Sequence, residues 1–193
     1  MRHRREEKGK KFMVYFIGFV MVASIFGVIF FGFGGNSMNS TREKGITFVN
    51  NGNSWSATID GREALFAYVP SQVEQIPVEG NIIDRFKNAI EIDMTYDFND
   101  TYAEQIALAQ FQMGTTLNNF NIFLRNGFTS ESGNFPVITC EDSTSFVPVI
   151  YFKSSNETKV YLKNECIIAE AANELDVLRI KDRLVYGLLG IIK

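Results

Sequence analysis

Four carboxylates fall within twelve residues: Asp93, Asp97, Asp100 and Glu104. They run from the end of an alternating apolar segment through a turn into a helix start. Sheet proteins with crossover helices often place their sites there, and a group of hard oxygens is the chemistry of Ca²⁺ or Mg²⁺. The spacing matches no recognised calcium loop, and acids at a helix start also favour the helix dipole without any ligand. Asp93, Asp97 and Asp100 are therefore weak metal candidates, and capping is the expected role. The chain has one histidine, His3, so the commonest general base is missing from everything downstream. Cys140-Glu141-Asp142 reads as a loop after a strand rather than a catalytic trio. No phosphate-cradling glycine loop occurs, no catalytic residue is assigned, and no cofactor is implied.

The two cysteines, Cys140 and Cys166, close each of two expected strand regions. A nucleophilic thiol needs a neighbouring base, and structural zinc needs four ligands. Both are lacking. In an oxidising compartment two cysteines predict one disulfide.

The compartment follows from the N-terminus. Residues 1–11 hold six Lys/Arg and two Glu, and Phe12–Phe33 is uncharged throughout. A helix rises about 1.5 Å per residue and a bilayer core is about 30 Å thick, so this run is long enough to span. It is too long for the apolar region of a cleaved signal peptide. Arg2, Arg4, Arg5, Lys8, Lys10 and Lys11 precede it and only Arg42 and Lys44 follow closely, which sets the tail in the cytoplasm and the remainder outside. Ala23 and Gly27 form one small-xxx-small pair, expected to be incidental. A pilin-type leader cut after Lys8-Gly9 is an alternative, opposed by Lys10 and Lys11 and by the absence of an early Glu in the apolar run. Of 19 Lys/Arg and 22 Asp/Glu, the tail takes six and two, which leaves the outer part at net −7. Such acidity excludes a nucleic-acid binder.

The elements that must position these residues read as follows. Residues 34–45 are small and polar, the pattern of a flexible stalk before a domain at 46–193. Ile46–Val49, Trp55–Ile59 and Glu63–Val69 alternate as strands, with Asp60-Gly61 as a hairpin turn. Ile82–Ala89 is a short helix, and Ile90–Thr95 a half-buried strand with Glu91 and Asp93 outward. Thr101-Tyr-Ala-Glu104 opens a helix with Ala103, Ile106, Ala107, Gln110, Met113, Gly114 and Leu117 on one face. Asn121–Leu124 then completes a βαβ-like unit. Phe135–Cys140, Val147–Phe152, Thr158–Leu162 and Cys166–Glu170 read as meander strands. A last helix, Glu174–Leu189, is capped by Asn173 and buries Val177, Ile180, Leu184, Leu188 and Ile191. The fold class is α+β: two packed helices on a mainly antiparallel sheet. Sequons occur at Asn39, Asn99 and Asn156. Asn39 and Asn156 are the glycosylation candidates, and Asn99 is assigned to helix capping.

The segments PVITCEDSTSFVPVIYF, KSSNETKVYL and KNECIIAEA, followed by VLRIKDRLVYGLLGI, resemble a family of uncharacterised single-pass membrane proteins from small-genome archaea. The likeness rests on the paired cysteines, the NET turn and the closing DRLVYGLLG helix, and extends over Leu65–Lys193. It implies an archaeal envelope protein, supports the disulfide and carries over no activity. The reading favoured is a membrane-tethered extracytoplasmic module with a protein partner in the envelope. A carboxylate-based metal-dependent binder or enzyme and a pilin-like filament subunit are the alternatives.

Overall fold

The computed structural model describes residues 39–87 and 89–192. The expected tail, the span 12–33 with Ala23 and Gly27, and the Lys8-Gly9 leader site lie outside them. Among the described residues no helix is long and apolar enough to cross a membrane. From Ser40 onward the chain forms one compact unit.

Two sheets are present. The first is an antiparallel meander of β1 (Ser40–Glu43), β2 (Ile46–Asn50), β3 (Trp55–Ile59) and β4 (Arg62–Phe66). Strand β1 corrects the expected stalk. Lys44 and Gly45 both take positive φ, the two-residue turn that matches hairpin twist, and this folds the polar Ser40–Glu43 back onto β2. Asp60 and Gly61 make the expected turn in the same way.

The second sheet contains β5 (Glu91–Tyr96), β6 (Phe123–Phe128), β7 (Val149–Ser154), β8 (Lys159–Lys163) and β9 (Cys166–Ala171), in the order β6-β5-β7-β9-β8. The helices are α1 (Ile82–Arg85), α2 (Ala103–Asn118) and α3 (Glu174–Leu188). The fold is α+β, but this sheet is mixed rather than antiparallel. Strand β5 runs parallel to β6 and β7, β7 runs parallel to β9, and only β8 is antiparallel. The expected βαβ unit is β5-α2-β6. The expected meander of the last third is not formed, because β9 inserts beside β7 and leaves β8 at the edge. The run Cys166–Ala171 is buried at every position, as befits a strand flanked by β7 and β8. Phe135–Cys140, expected as a strand, makes only a bridge from Val137 to Phe128 and then a 3-10 turn at Cys140–Asp142.

Helices α2 and α3 each touch both sheets. Thr116 of α2 hydrogen-bonds both backbone groups of Leu65 on the outer edge of β4 (3.3 and 3.1 Å), and Asn119 donates to the Glu63 carbonyl (2.8 Å). These contacts cover an edge that would otherwise template aggregation. Gln110 donates to the Met94 carbonyl of β5 (3.0 Å). Ile106, Gln110, Met113 and Leu117 are buried as expected; Ala107 is exposed, and Ala109 and Thr116 are buried instead. Tyr186 of α3 stacks on Phe66 at 4.2 Å and meets Phe48 edge-on at 6.0 Å, a geometry favoured by the ring quadrupoles. Its hydroxyl donates to the Tyr68 carbonyl (2.7 Å).

Helix α3 is buried nearly all round rather than along one stripe. Lys181 and Asp182 are 1% and 0% exposed. The Asp182 carboxylate accepts from the Ala67 and Tyr68 N–H groups (2.9 and 2.8 Å) and from the Lys181 ammonium. Burial pushes the Asp182 carboxyl above its ordinary range, against the pull of Lys181 and the two N–H groups. Leu188 and Ile191, expected in the core, are half-buried.

Gly127 on β6 faces the segment that crosses the second sheet. A Cβ there would lie 2.6 Å from the Pro136 carbonyl and 2.7 Å from the Ile138 side chain. Gly127→Ala is expected to cost about 1–3 kcal/mol by displacing residues 136–138. A urea midpoint unchanged from wild type would contradict that close approach.

Candidate functional site

The three candidate aspartates do not converge. Asp93, expected at the surface, is fully buried on the face of β5 turned away from the helices. Its register partner Arg125 forks onto it, with Nε 2.7 Å from Oδ1 and Nη2 2.5 Å from Oδ2. Glu91 lies 3.4 Å from the same guanidinium. The carboxylates hold Arg125 above its ordinary pKa, chiefly through the Asp93 hydrogen bonds. Asp97 accepts from the Asn99 N–H (2.9 Å), a local turn bond. Asp100 accepts from the Tyr102 N–H (2.8 Å) and from the Ser154 N–H and hydroxyl (2.8 and 3.1 Å), tying the start of α2 to the end of β7. The N-cap of α2 is Tyr102, with no side-chain cap bond, so the capping expected of Asn99 and of Thr101 with Glu104 is not formed; Asp100 makes a turn just before the helix, and Glu104 is exposed. Among the described residues no group of three or more His, Cys, Asp or Glu is arranged to hold a metal ion. The sequons Asn39, Asn99 and Asn156 are all exposed.

Arg125→Ala would strand the buried Asp93 charge. A loss of about 1–3 kcal/mol is expected, reduced by adding Asp93→Asn. A double variant no more stable than Arg125→Ala in urea unfolding would contradict the pairing.

Cys140 and Cys166 form the expected disulfide, with S–S 2.06 Å and Cα–Cα 5.2 Å. It joins the 3-10 turn to the first residue of β9. Beside it the β8–β9 turn has Asn164 and Glu165 at φ 48° and 70°. A glutamate there is strained, since Cβ crowds the carbonyl, and three contacts pin it. The Ser143 hydroxyl donates to the Glu165 carbonyl (2.8 Å), Arg85 donates to the same carbonyl (3.3 Å), and Arg85 pairs with the Glu165 carboxylate (2.7 Å); Arg85 also donates to the Thr144 carbonyl (3.0 Å). Asp142 accepts from the Thr139 N–H and hydroxyl (2.7 and 3.0 Å), which lowers its pKa. Glu141 and Asp142 thus shape the turn, as the loop reading expects.

This stapled segment covers only part of the outer face of the second sheet. Register sets out the uncovered part in rows. Tyr151, Ile168 and Tyr161 lie side by side across β7, β9 and β8, and Lys153, Glu170 and Lys159 form the next row. Lys163 stands opposite Cys166. Glu170 accepts from the Tyr161 hydroxyl (3.0 Å) and from Lys153 (2.8 Å), with Lys159 at 3.7 Å. Burial opposes ionisation of Glu170, but the bonds from Lys153 and Tyr161 prevail and its pKa falls below the ordinary value. Burial raises the pKa of Tyr151 and of Tyr161, so both hydroxyls keep their protons at neutral pH. Between the rows lies a cavity of about 170 Å³, floored by Ile168, flanked by the two tyrosines and walled by Cys140, with Lys153 and Lys163 at its ends.

A larger hollow of about 610 Å³ lies over the first sheet between Gly45, Ile46, Thr58 and Glu63. Its one charged group and mostly small or aliphatic lining offer less chemistry than the smaller cleft. The sequence signal for the cleft is plain in hindsight: Tyr151-Lys153 and Lys159-Tyr161-Lys163 repeat at period two, which puts them on one face once the sheet order is known. No family model, curated protein or solved structure matches the chain.

Proposed function

We propose that the protein is a membrane-tethered extracytoplasmic module that meets a protein partner through the outer face of its second sheet. The observation that carries the binding part is the placement of α2 and α3. They pack on the inner face, and the outer one is left with Tyr151, Lys153, Lys159 and Tyr161 half-buried. Aromatic residues whose polar tips stay wet are the usual material of interfaces. The tether rests on the uncharged run Phe12–Phe33 behind its basic tail, and the exported side is supported by the oxidised cysteine pair.

Membrane-impermeant amine cross-linking of intact cells tests this reading. Intermolecular cross-links to another protein are expected from Lys153, Lys159 or Lys163, with none from Lys8, Lys10 or Lys11. Cross-links confined to Lys44 and Lys87, or any from the tail, would overturn it.

A further inference from the structure

The outer face already shows how it receives a carboxylate. Glu170 is met by an ammonium from the neighbouring strand, Lys153 at 2.8 Å, and by a tyrosine hydroxyl, Tyr161 at 3.0 Å. One row away the same pair of groups recurs without an acid. The Lys163 ammonium and the Tyr151 hydroxyl take part in no hydrogen bond or ion pair with any described residue, and both border the cavity. The amide of Asn164 adds further donors at that end. No carboxylate lines the cavity, although the domain as a whole is acidic.

Size narrows the occupant. At about 170 Å³ the cavity holds roughly five or six waters at about 30 Å³ each, well short of the roughly 300–1,000 Å³ of a small-molecule pocket. One side chain with an aliphatic stem fits this space. The stem would lie on Ile168 between the two rings, and the charged end would reach Lys163. The chemistry of the donors narrows it further. An ammonium, a phenol and an amide suit a singly charged carboxylate, whereas the bidentate fork that phosphate favours is an arginine's and a lysine meets phosphate only as a point charge. No arginine lines this cavity.

We propose that the cleft between Tyr151 and Tyr161 binds a glutamate or aspartate side chain from an acidic segment of the partner protein. The proposal rests on the reading that this face meets a protein, and it names what the face recognises. Lys163 supplies the charge, Tyr151 and Asn164 direct the carboxylate, and Ile168 with the tyrosine rings excludes water from the stem. The disulfide holds the Cys140 wall in place, so the cleft is ready before the partner arrives.

Calorimetric titration of the full chain in neutral-lipid nanodiscs tests it, with acetyl-(Glu)₄-amide, acetyl-(Gln)₄-amide and sodium phosphate as probes. Saturable binding of the glutamate peptide is expected, with none for the glutamine peptide and much weaker binding for phosphate. Lys163→Glu should weaken the glutamate peptide at least tenfold. Because Lys163 is exposed and makes no internal bond, that variant should melt like wild type. Absence of saturable binding, equal binding of phosphate, or binding that survives Lys163→Glu and so belongs to the basic tail would each overturn the assignment. Cross-links from this face with no peptide binding would remove the carboxylate specificity alone; absence of both would remove the interaction reading as well.

Discussion

Asp182→Ala is expected to lower the unfolding free energy by about 3–5 kcal/mol, the cost of breaking a buried ion pair on one side. Asp182 has no exposed surface, and its carboxylate serves three donors: two backbone N–H groups at Ala67 and Tyr68 and the Lys181 ammonium. Alanine would leave a buried ammonium without its counter-ion and two N–H groups without an acceptor, and each orphan costs roughly 1–3 kcal/mol or more. The chain link at Ala67–Tyr68 joins β4 to the segment beneath α3, so the loss also loosens the first sheet from the helix that carries Tyr186. For a domain of this size, about 2–4 °C per kcal/mol makes the expected fall in melting temperature roughly 10 °C. The double variant Lys181→Met with Asp182→Asn removes both charges and keeps an amide oxygen for the two N–H groups. It should unfold close to wild type, because an ion pair of this kind costs nearly as much to desolvate as it returns. Urea unfolding of the three proteins decides the matter, and a loss below about 1 kcal/mol for Asp182→Ala would contradict the arrangement.

The second large effect belongs to the staple. Replacing both cysteines with alanine is expected to cost about 3 kcal/mol, from the chain entropy released by opening a loop of 26 residues. That corresponds to a melting temperature lower by about 6–12 °C. The effect should also be local. The outer cluster under the crossing segment has Ile138, Val149, Cys166 and Ile168 buried, with Cys140, Tyr151 and Tyr161 packed against them, far smaller than the inner core. Once the disulfide is gone, the segment keeps the Thr95 hydroxyl on the Ile138 carbonyl (2.7 Å) and the contacts of Ser143 and Arg85. Amides of residues 138–149 should exchange faster at temperatures where those of β3 are unchanged. Uniform loss of protection across both sheets, or an unchanged melting curve, would show that the staple is not what holds this segment down.

Much of the fold is legible because the relevant signals are local. A lone pair of cysteines leaves one disulfide to form, and the Asp60-Gly61 turn, the alternation in β2 and β3 and the Asn173 cap on α3 are each encoded within a few residues. Strand β1 is not, since Ser40–Glu43 carries no apolar pattern and becomes a strand only through its turn onto β2. Sheet order is equally silent: nothing in the β8 sequence announces that the next strand will pass it to pair with β7. That one non-local choice turns an expected meander into a mixed sheet and assembles Tyr151, Ile168 and Tyr161 in a row. Alternation with apolar neighbours points Asp93 outward, whereas its burial goes with the Arg125 fork, a partner that only the β5–β6 register brings to it. Alternation likewise makes Phe135–Cys140 read as a strand where the chain forms one bridge and a 3-10 turn. No local signal marks Lys181 and Asp182 of α3 as core residues, yet they satisfy each other and the β4 exit inside the core.

The proposed placement of the domain outside the membrane is tested most directly by single-cysteine labelling of intact cells with an impermeant maleimide. Asn53→Cys, at the exposed turn between β2 and β3, should be labelled without permeabilisation, and His3→Cys only after it. Labelling of His3→Cys on intact cells, or protection of Asn53→Cys, would contradict the tethered, outward-facing arrangement.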